Sequence, residues 1–461
     1  MNLIRVCLAW TIRLIVHTFF RNVEIHGREK IPPEGPLVFA SNHPNMVLDP
    51  FMVILANRRH VHFMGKSTLF EIPFLAILLK IFGVIPVYRR SDDPEQTHKN
   101  QEAFGACYQV LEAGGVIGIF PEGVSERGAR LRPLKTGTAR IVLEAESRNN
   151  FSLGVGIVPV GLNFQQGHLF RSDVLVLIGD AIGVSEYRET YAHDSHGAAR
   201  TLTNSIEERL ESITRNIREQ QDAEFIDVLE RIYNEGYLDL DPDRPHPDLK
   251  HKFEVDQGIR DAYSYFLEQQ PDEISGARRM LEDYVALVER TGISDRAVGG
   301  YEGPGQLFGE TVRALPLALL GAIPWLYGFL TNYIPYRLIG TVSQRLSTDV
   351  VEIATNKIAA GLILYPAYYL FLTLCSGYFM GPMVAVLSLI SFPVAGFFTI
   401  ALTDRLRRLW DLTRAAALFM TRRDMGLRLK VEREKILQEL RRLTDLYQSR
   451  VAISEAEQHA P

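Results

Sequence analysis

The sequence predicts an α/β domain, a mostly parallel layered sheet with flanking helices, followed by a helical insert and C-terminal membrane-embedded helices. Two observations carry this. Between residues 24 and 190, short β-rich runs alternate with helical stretches, the rhythm of strand–crossover–strand units. The apolar residues also crowd at the N-terminus and between about Leu315 and Leu402, which a water-facing chain has no reason to do. A length of 461 residues accommodates about two to four domains.

The elements follow in order. Residues 3–20 are apolar but carry Arg5 and Arg13. Arginines are costly at the bilayer centre and comfortable at its surface, so segment 1–25 reads as a membrane-interfacial helix. No small-residue cleavage site follows it, and the segment is expected to stay on the chain. Strands are expected over Leu37–Ala40, Val61–Met64, Val84–Tyr88, Val116–Phe120, Gly156–Val160 and Val174–Ile178. Helices are expected near Pro50–Ala56, Ile72–Phe82, Glu95–Ala113 and Thr136–Arg148, completing a domain over 26–190.

Residues 191–305 read as a helical region with a linker. Ile206, Leu210, Ile213 and Ile217 recur at helical spacing, and Asp239–Lys252 carries Pro242, Pro245 and Pro247 among mixed charges. A membrane-embedded region over 306–404 holds apolar stretches at 314–330, 358–375 and 383–402. The latter two, separated by Ser376–Pro382, form a spanning hairpin. The first contains Pro316 and Pro324, and is read as re-entrant or interfacial. Arg405, Arg407, Arg408, Arg414, Arg422 and Arg423 open a basic helical tail over 405–461. They place that tail, and with a hairpin the α/β domain too, on the cytoplasmic side. Ile436, Leu440, Leu443 and Tyr447 give the tail an amphipathic stripe suited to pairing with another helix.

A net charge of −5 argues against a dedicated nucleic-acid binder. Cys7, Cys107 and Cys375 stand far apart and offer neither a disulfide framework nor metal-ligand spacing.

The chemistry gathers in short blocks. Residues 41–51, Ser-Asn-His-Pro-Asn-Met-Val-Leu-Asp-Pro-Phe, join a strand to a helix. His43 at the strand end and Asp49 at the helix start read in two ways: a general base with its orienting carboxylate, or a loop histidine beside an N-cap with Pro50 at the first helical position. Gly83-Val-Ile-Pro-Val-Tyr-Arg89-Arg90 puts two planar guanidinium forks at a strand end, suited to phosphate. Phe120-Pro-Glu122-Gly123-Val-Ser125-Glu-Arg127 follows another strand. It places Glu122 and Gly123 at the carboxyl edge, where α/β folds bind ligands, with Arg130, Arg132 and Lys135 making that edge basic. Val158-Pro-Val160 ends the series.

These blocks stand in the order of the four motif blocks of the glycerolipid acyltransferases, and residues 26–190 resemble that lysophosphatidate acyltransferase-like superfamily. Five residues separate His43 from Asp49, where the commonest family pattern has fewer. That spacing resembles the glycerol-3-phosphate/dihydroxyacetone-phosphate acyltransferase branch. So do Leu131-Arg-Pro-Leu-Lys135-Thr-Gly137 and Asn163-Phe-Gln-Gln-Gly-His168-Leu-Phe-Arg171-Ser172, and the hydrophobic region after the domain. Ser125 departs from the pattern, standing where many relatives carry arginine, and Arg127 is the candidate replacement.

The resemblance implies acyl transfer from acyl-CoA or acyl carrier protein, as substrate, to a hydroxyl of a phosphorylated glycerol at a lipid membrane. It implies no metal or cofactor. His43 would take the hydroxyl proton, Asp49 fix its tautomer, Arg89 bind the acceptor phosphate, and Glu122 and Gly123 shape the acceptor pocket. Lys66, Arg90 and Arg127 would contact phosphate or carrier. Glycerol-3-phosphate is the expected acceptor. A lysophosphatidate or other lysophospholipid is the alternative, with an inactive membrane scaffold or a thioesterase behind it.

Overall fold

The computed structural model describes residues 3–88, 94–126, 130–217, 222–237, 248–301 and 303–458. The chain divides into two compact units, Met1–Asn216 with Val342–Ala359, and Ile217–Thr341 with Ala360–Pro461.

The first unit opens with helix α1 (Leu3–Phe19) and strand β1 (Asn22–His26). Then come β2 (Leu37–Ser41), α2 (Leu48–Ala56), β3 (Val61–Lys66), α3 (Pro73–Ile81), β4 (Ile85–Val87), α4 (Asn100–Glu112), β5 (Val116–Ile119) and α5 (Gly137–Arg148). β6 (Gly156–Phe164), β7 (Asp173–Ile178), β8 (Ile182–Gly183), α6 (Arg188–His193) and α7 (Ser195–Glu211) complete it. The sheet order is β1-β7-β6-β2-β5-β3-β4, with β8 on β6. All pairs are parallel except β6–β7 and β6–β8.

Central β2, Leu-Val-Phe-Ala-Ser, is buried throughout, as a strand covered on both faces must be. Its alternate side chains feed two cores. Val38 and Ala40 join Leu111, Ile141 and Leu202 from α4, α5 and α7. Leu37 and Phe39 join Val16 of α1 and Met52 of α2. α1 buries Ile12, Val16 and Phe19 there while Trp10 and Leu14 stay exposed beside Arg13 and His17, a mixed apolar and basic outer face.

Several expectations need correcting. β2 ends at Ser41, two residues before His43. Asp49 does not cap α2: Val47 is the N-cap, and Asp49 lies inside the first turn. The expected helix over Glu95–Ala113 begins as a 3-10 turn at Pro94–Lys99 and becomes α-helical at Asn100. Leu249–Lys252, assigned to the linker, already belongs to a helix capped by Asp248. The linker's residues 239–247 lie outside the described ones. β1 and β8 were not foreseen.

The second unit holds α8 (Ala223–Tyr237), α9 (Leu249–Gln269), α10 (Pro271–Thr291) and α11 (Asp295–Gly300). It also holds most of three long helices, α12 (Pro304–Leu346), α13 (Val350–Met380) and α14 (Pro382–Thr421), and then α15 (Arg423–Gln458). α12, α13 and α14 are each long and apolar enough to cross a membrane. α12 runs unbroken through Pro316, Pro324 and Pro335, so those prolines do not end it, and α13 continues through Ser376 to Met380. On α15, Ile436, Leu440 and Leu443 are buried and Tyr447 meets the Tyr265 ring at 5.6 Å. That stripe packs against other helices of its own unit.

Candidate functional site

The parallel strands β2, β5, β3 and β4 lie side by side and end at one edge of the sheet. His43 follows β2, Glu122 and Gly123 follow β5, and Lys66 closes β3. Topology thus brings residues up to 80 positions apart to a single rim, the carboxyl edge where α/β folds place ligands.

Asp49 reaches back from the first turn of α2. Its Oδ2 accepts the His43 Nδ1 proton at 2.8 Å and the Asn45 backbone N–H at 2.7 Å. Asp49 is fully buried, and its Oδ1 has no hydrogen-bond partner among the described residues. Burial raises its pKa above the usual carboxylate range, against the pull of His43 and the Asn45 amide. A desolvated carboxylate has no water competing for the imidazole and holds its two donors, His43 and the Asn45 amide, firmly. With Nδ1 donating to Asp49, Nε2 is the ring nitrogen left to accept a proton. The imidazole stacks on Phe120, centroids 4.1 Å apart and planes at 14°, which fixes its tilt.

Glu122, expected to shape the acceptor pocket, makes two backbone contacts. One carboxylate oxygen accepts the His43 backbone N–H at 2.8 Å and the other the Arg132 N–H at 3.3 Å. It pins the loop after β5 to the loop after β2. It is nearly buried, and that burial lifts its pKa. Ser125 ties the same loops a second time: its hydroxyl donates to the His43 carbonyl at 2.9 Å and accepts the Met46 N–H at 3.0 Å. Met46 itself sits at φ 43, a left-handed conformation costly for a side chain other than glycine. The double tie holds it there.

Gly123 has φ 73, and a Cβ there would meet Nζ of exposed Lys135 at 2.5 Å. The turn needs glycine for its backbone and to let the Lys135 side chain lie across it. Lys66 stands on the same rim, two strands from β2. Arg89, Arg90 and Arg127 lie outside the described residues. The structure therefore joins His43, Asp49, Glu122 and Gly123 in one hydrogen-bonded pair of loops and sets Lys66 on their edge.

Sequence reasoning gave no role to Asn42 and Asn45. The Asn42 side chain exchanges two hydrogen bonds with the backbone of Leu162 on β6, at 3.0 and 2.8 Å. The buried Asn45 side chain donates to the Gly167 carbonyl at 3.0 Å. Both flank His43, and polar amides beside a catalytic candidate in a strand-end loop were the available signal.

Comparison with known proteins finds a family model and several relatives over this part of the chain. Residues 22–163 match the family model described as Acyltransferase. An uncharacterized acyltransferase of Schizosaccharomyces pombe is 23% identical over 318 residues, covering 50% of this chain and 46% of that protein. The Saccharomyces cerevisiae protein called glycerol-3-phosphate O-acyltransferase 1 is 24% identical over 313 residues, 49% of this chain and 41% of its own length. A 1-acyl-sn-glycerol-3-phosphate acyltransferase of Borreliella burgdorferi is 30% identical over 175 residues, 36% of this chain and 64% of that protein. The chain thus spans less than half the length of the two fungal relatives.

Proposed function

We propose, from the premise that residues 22–163 form an Acyltransferase-family domain, that this chain moves a fatty acyl group from a thioester, acyl-CoA or acyl carrier protein, to a hydroxyl of glycerol-3-phosphate. The observation that carries the reading is the His43–Asp49 pair at 2.8 Å, with Nε2 as its working nitrogen. His43 takes the acceptor's hydroxyl proton as the oxygen attacks the thioester carbon. The acyl C–O bond forms, the C–S bond breaks, and the proton passes to the departing thiolate. Asp49 holds the tautomer and stabilises the transient imidazolium. The acceptor itself is the nucleophile, and no acyl-enzyme is required.

Glu122, Gly123 and Ser125 act in this scheme by holding the histidine loop. Arg89 binds the acceptor phosphate, and Lys66, Arg90 and Arg127 bind phosphate or the carrier. The catalytic domain faces the cytoplasm, where both donor carriers are found, and the apolar face of α1 keeps it at the lipid surface. The Borreliella burgdorferi relative favours a second acceptor, lysophosphatidate.

An acceptor panel on purified protein in detergent tests this, with one acyl thioester and glycerol-3-phosphate, lysophosphatidate or unphosphorylated glycerol. Acyl ester should form with glycerol-3-phosphate. His43→Ala should lower the rate about 10²–10⁴-fold, and Arg89→Ala should hurt phosphorylated acceptors far more than glycerol. Preference for lysophosphatidate selects the second reading. Free fatty acid as the sole product makes the protein a thioesterase, and full activity in His43→Ala removes the base.

A further inference from the structure

The loop between β6 and β7, residues 165–172, takes no part in the scheme above, yet three other pieces of the first unit grip it. From the N-terminal side, the Arg171 N–H donates to the Phe19 carbonyl at 2.7 Å and the Arg21 N–H to the Ser172 carbonyl at 2.9 Å. The rings of Phe19 and Phe170 meet edge to face at 5.9 Å. From the C-terminal side, the first turns of α13 enter the same unit: Val351 and Ala354 are buried, Ala354 in the core beneath β2 and β6. One turn on, Lys357 donates from Nζ to the His168 carbonyl at 2.7 Å.

The third grip is on the candidate active site. The Gly167 carbonyl, one residue from that lysine contact, accepts the Asn45 side-chain amide at 3.0 Å. A Cβ on Gly167 would lie 2.5 Å from Asn45 Nδ2, so this approach requires glycine. Asn45 in turn places its backbone N–H 2.7 Å from the Asp49 oxygen that holds His43. A continuous path of polar contacts therefore runs from a helix long and apolar enough to cross a membrane to the carboxylate of the dyad.

Lys357 is a poor choice for a mere brace. Among the described residues no carboxylate pairs with it, and it is partly withdrawn from water with a neutral carbonyl as its partner. A partly desolvated ammonium costs free energy that an apolar side chain would avoid. What it adds is a directed donor that fixes where the His168–Gly167 backbone sits.

We propose that Lys357 is a positioning residue for the dyad: through the 165–172 loop and Asn45 it holds Asp49 and His43 in register, so that the membrane seating of α13 sets the geometry of acyl transfer. The proposal rests on the reading of His43 as general base. Its consequence is that the acyltransferase is fully competent only with α13 in place, which suits an enzyme whose product belongs in a membrane.

The test uses the full chain in detergent or lipid discs, with amide hydrogen exchange and steady-state kinetics side by side. Lys357→Met should speed exchange at Asn45 and across 165–172 while leaving β2 and β5 protected. It should lower kcat on the order of tenfold, as loss of a supporting contact to a catalytic group does, with the acceptor KM within about twofold. Lys357→Arg, which keeps a donor for the same carbonyl, should recover most of the loss. Asn45→Ala should lower kcat at least as far, and adding Lys357→Met to it should cost nothing more, because both act along one path. Multiplying losses in the double variant, or unchanged exchange at Asn45 in Lys357→Met, overturns the proposal. If His43→Ala keeps its activity the general-base reading falls instead, while the exchange arm still reports whether the path exists.

Discussion

At the scale of single residues, Asp49 carries opposed demands. In the proposed scheme its buried carboxylate is needed beside His43, and it costs stability, because burial has raised its pKa. Asp49→Asn separates the two. The Asn amide can donate where the carboxylate only accepted, which favours the wrong imidazole tautomer, and acyl transfer should drop about 10³–10⁴-fold. The stability effect has a definite sign. A folded-state pKa above the unfolded one means the folded protein binds the extra proton. Stability then falls as pH rises from the ordinary carboxylate value to the raised one, and the penalty is constant above that window. Asp49→Asn lacks this term. Its melting temperature relative to wild type should climb in the variant's favour as pH rises from acid to neutral. Glu122, also raised by burial, is present in both proteins and largely cancels. A difference that is flat, or that moves toward wild type, would contradict the sign. The sequence made His43 and Asp49 legible as a pair, because strand-end and helix-start positions bring them together. It did not reveal the cap as false: Asp49-Pro50 looks like N-cap and N1 by residue type alone, and only the backbone shows the carboxylate turned back to the loop.

At the scale of elements, the parallel core was legible and its margins were not. β2, β5 and β7 are dense in Val, Ile, Leu and Phe and buried along their length, and β6 is buried over Ile157–Leu162, so composition alone marks them as two-faced strands. β1, Asn-Val-Glu-Ile-His, is only partly buried at every position, and an edge strand with polar residues carries little pattern. The long helices also hide their packing from hydropathy, since lipid-facing and helix-facing residues are equally apolar. Glycines and lone polar residues carry the information instead. A Cβ on Gly328 of α12 would overlap the Ala395 carbonyl of α14 and meet the Thr399 hydroxyl, so the two backbones touch there. Trp325 Nε1 donates to Thr403 at 2.9 Å beside this contact. Gly328→Val should therefore separate α12 from α14 and lower the detergent melting temperature of the protein by several degrees, a loss of about 1–3 kcal/mol by overpacking. Gly309→Ala, on the same helix with no atom within 4 Å of the new Cβ, should be neutral or mildly stabilising. Equal melting for the two variants would remove the close α12–α14 contact.

At the scale of the whole molecule, the question is how α12 sits in the membrane, because length and hydropathy alone would let it cross. Its contacts within the second unit describe its neighbours. α13 and α14 form a hairpin about Gly381: a Cβ on Gly377 would touch Ala385 at 3.2 Å, and the rings of Tyr369 and Phe392 meet at 5.7 Å. Gly321 of α12 packs on Leu402, 21 residues past the turn, and Ile339 packs on Gly361, 20 residues before it. Both contacts lie about 30 Å down the hairpin arms at 1.5 Å per residue. Between them Asn332 touches both arms, accepting from Tyr369 and donating to the Phe392 carbonyl. α12 thus touches both arms, running antiparallel beside α14 from the Gly321/Leu402 contact through Gly328/Ala395 to Asn332/Phe392 and meeting α13 at Tyr369 and Gly361. The re-entrant or interfacial reading of 314–330 requires both ends of this continuous helix to lie on one face, and a third span requires them on opposite faces. With α13 and α14 as a spanning hairpin, the positive-inside rule would put the basic start of α15 on the cytoplasmic face. On the re-entrant or interfacial reading, single cysteines at Gln306, Thr341 and Ser449, in a chain with Cys7, Cys107 and Cys375 changed to serine, should all react with an impermeant thiol reagent from the cytoplasmic face of oriented vesicles. A cysteine at Met380, beside the hairpin turn, should react from the other face. Labelling of Gln306→Cys and Thr341→Cys from opposite faces would make α12 a third span and overturn that reading.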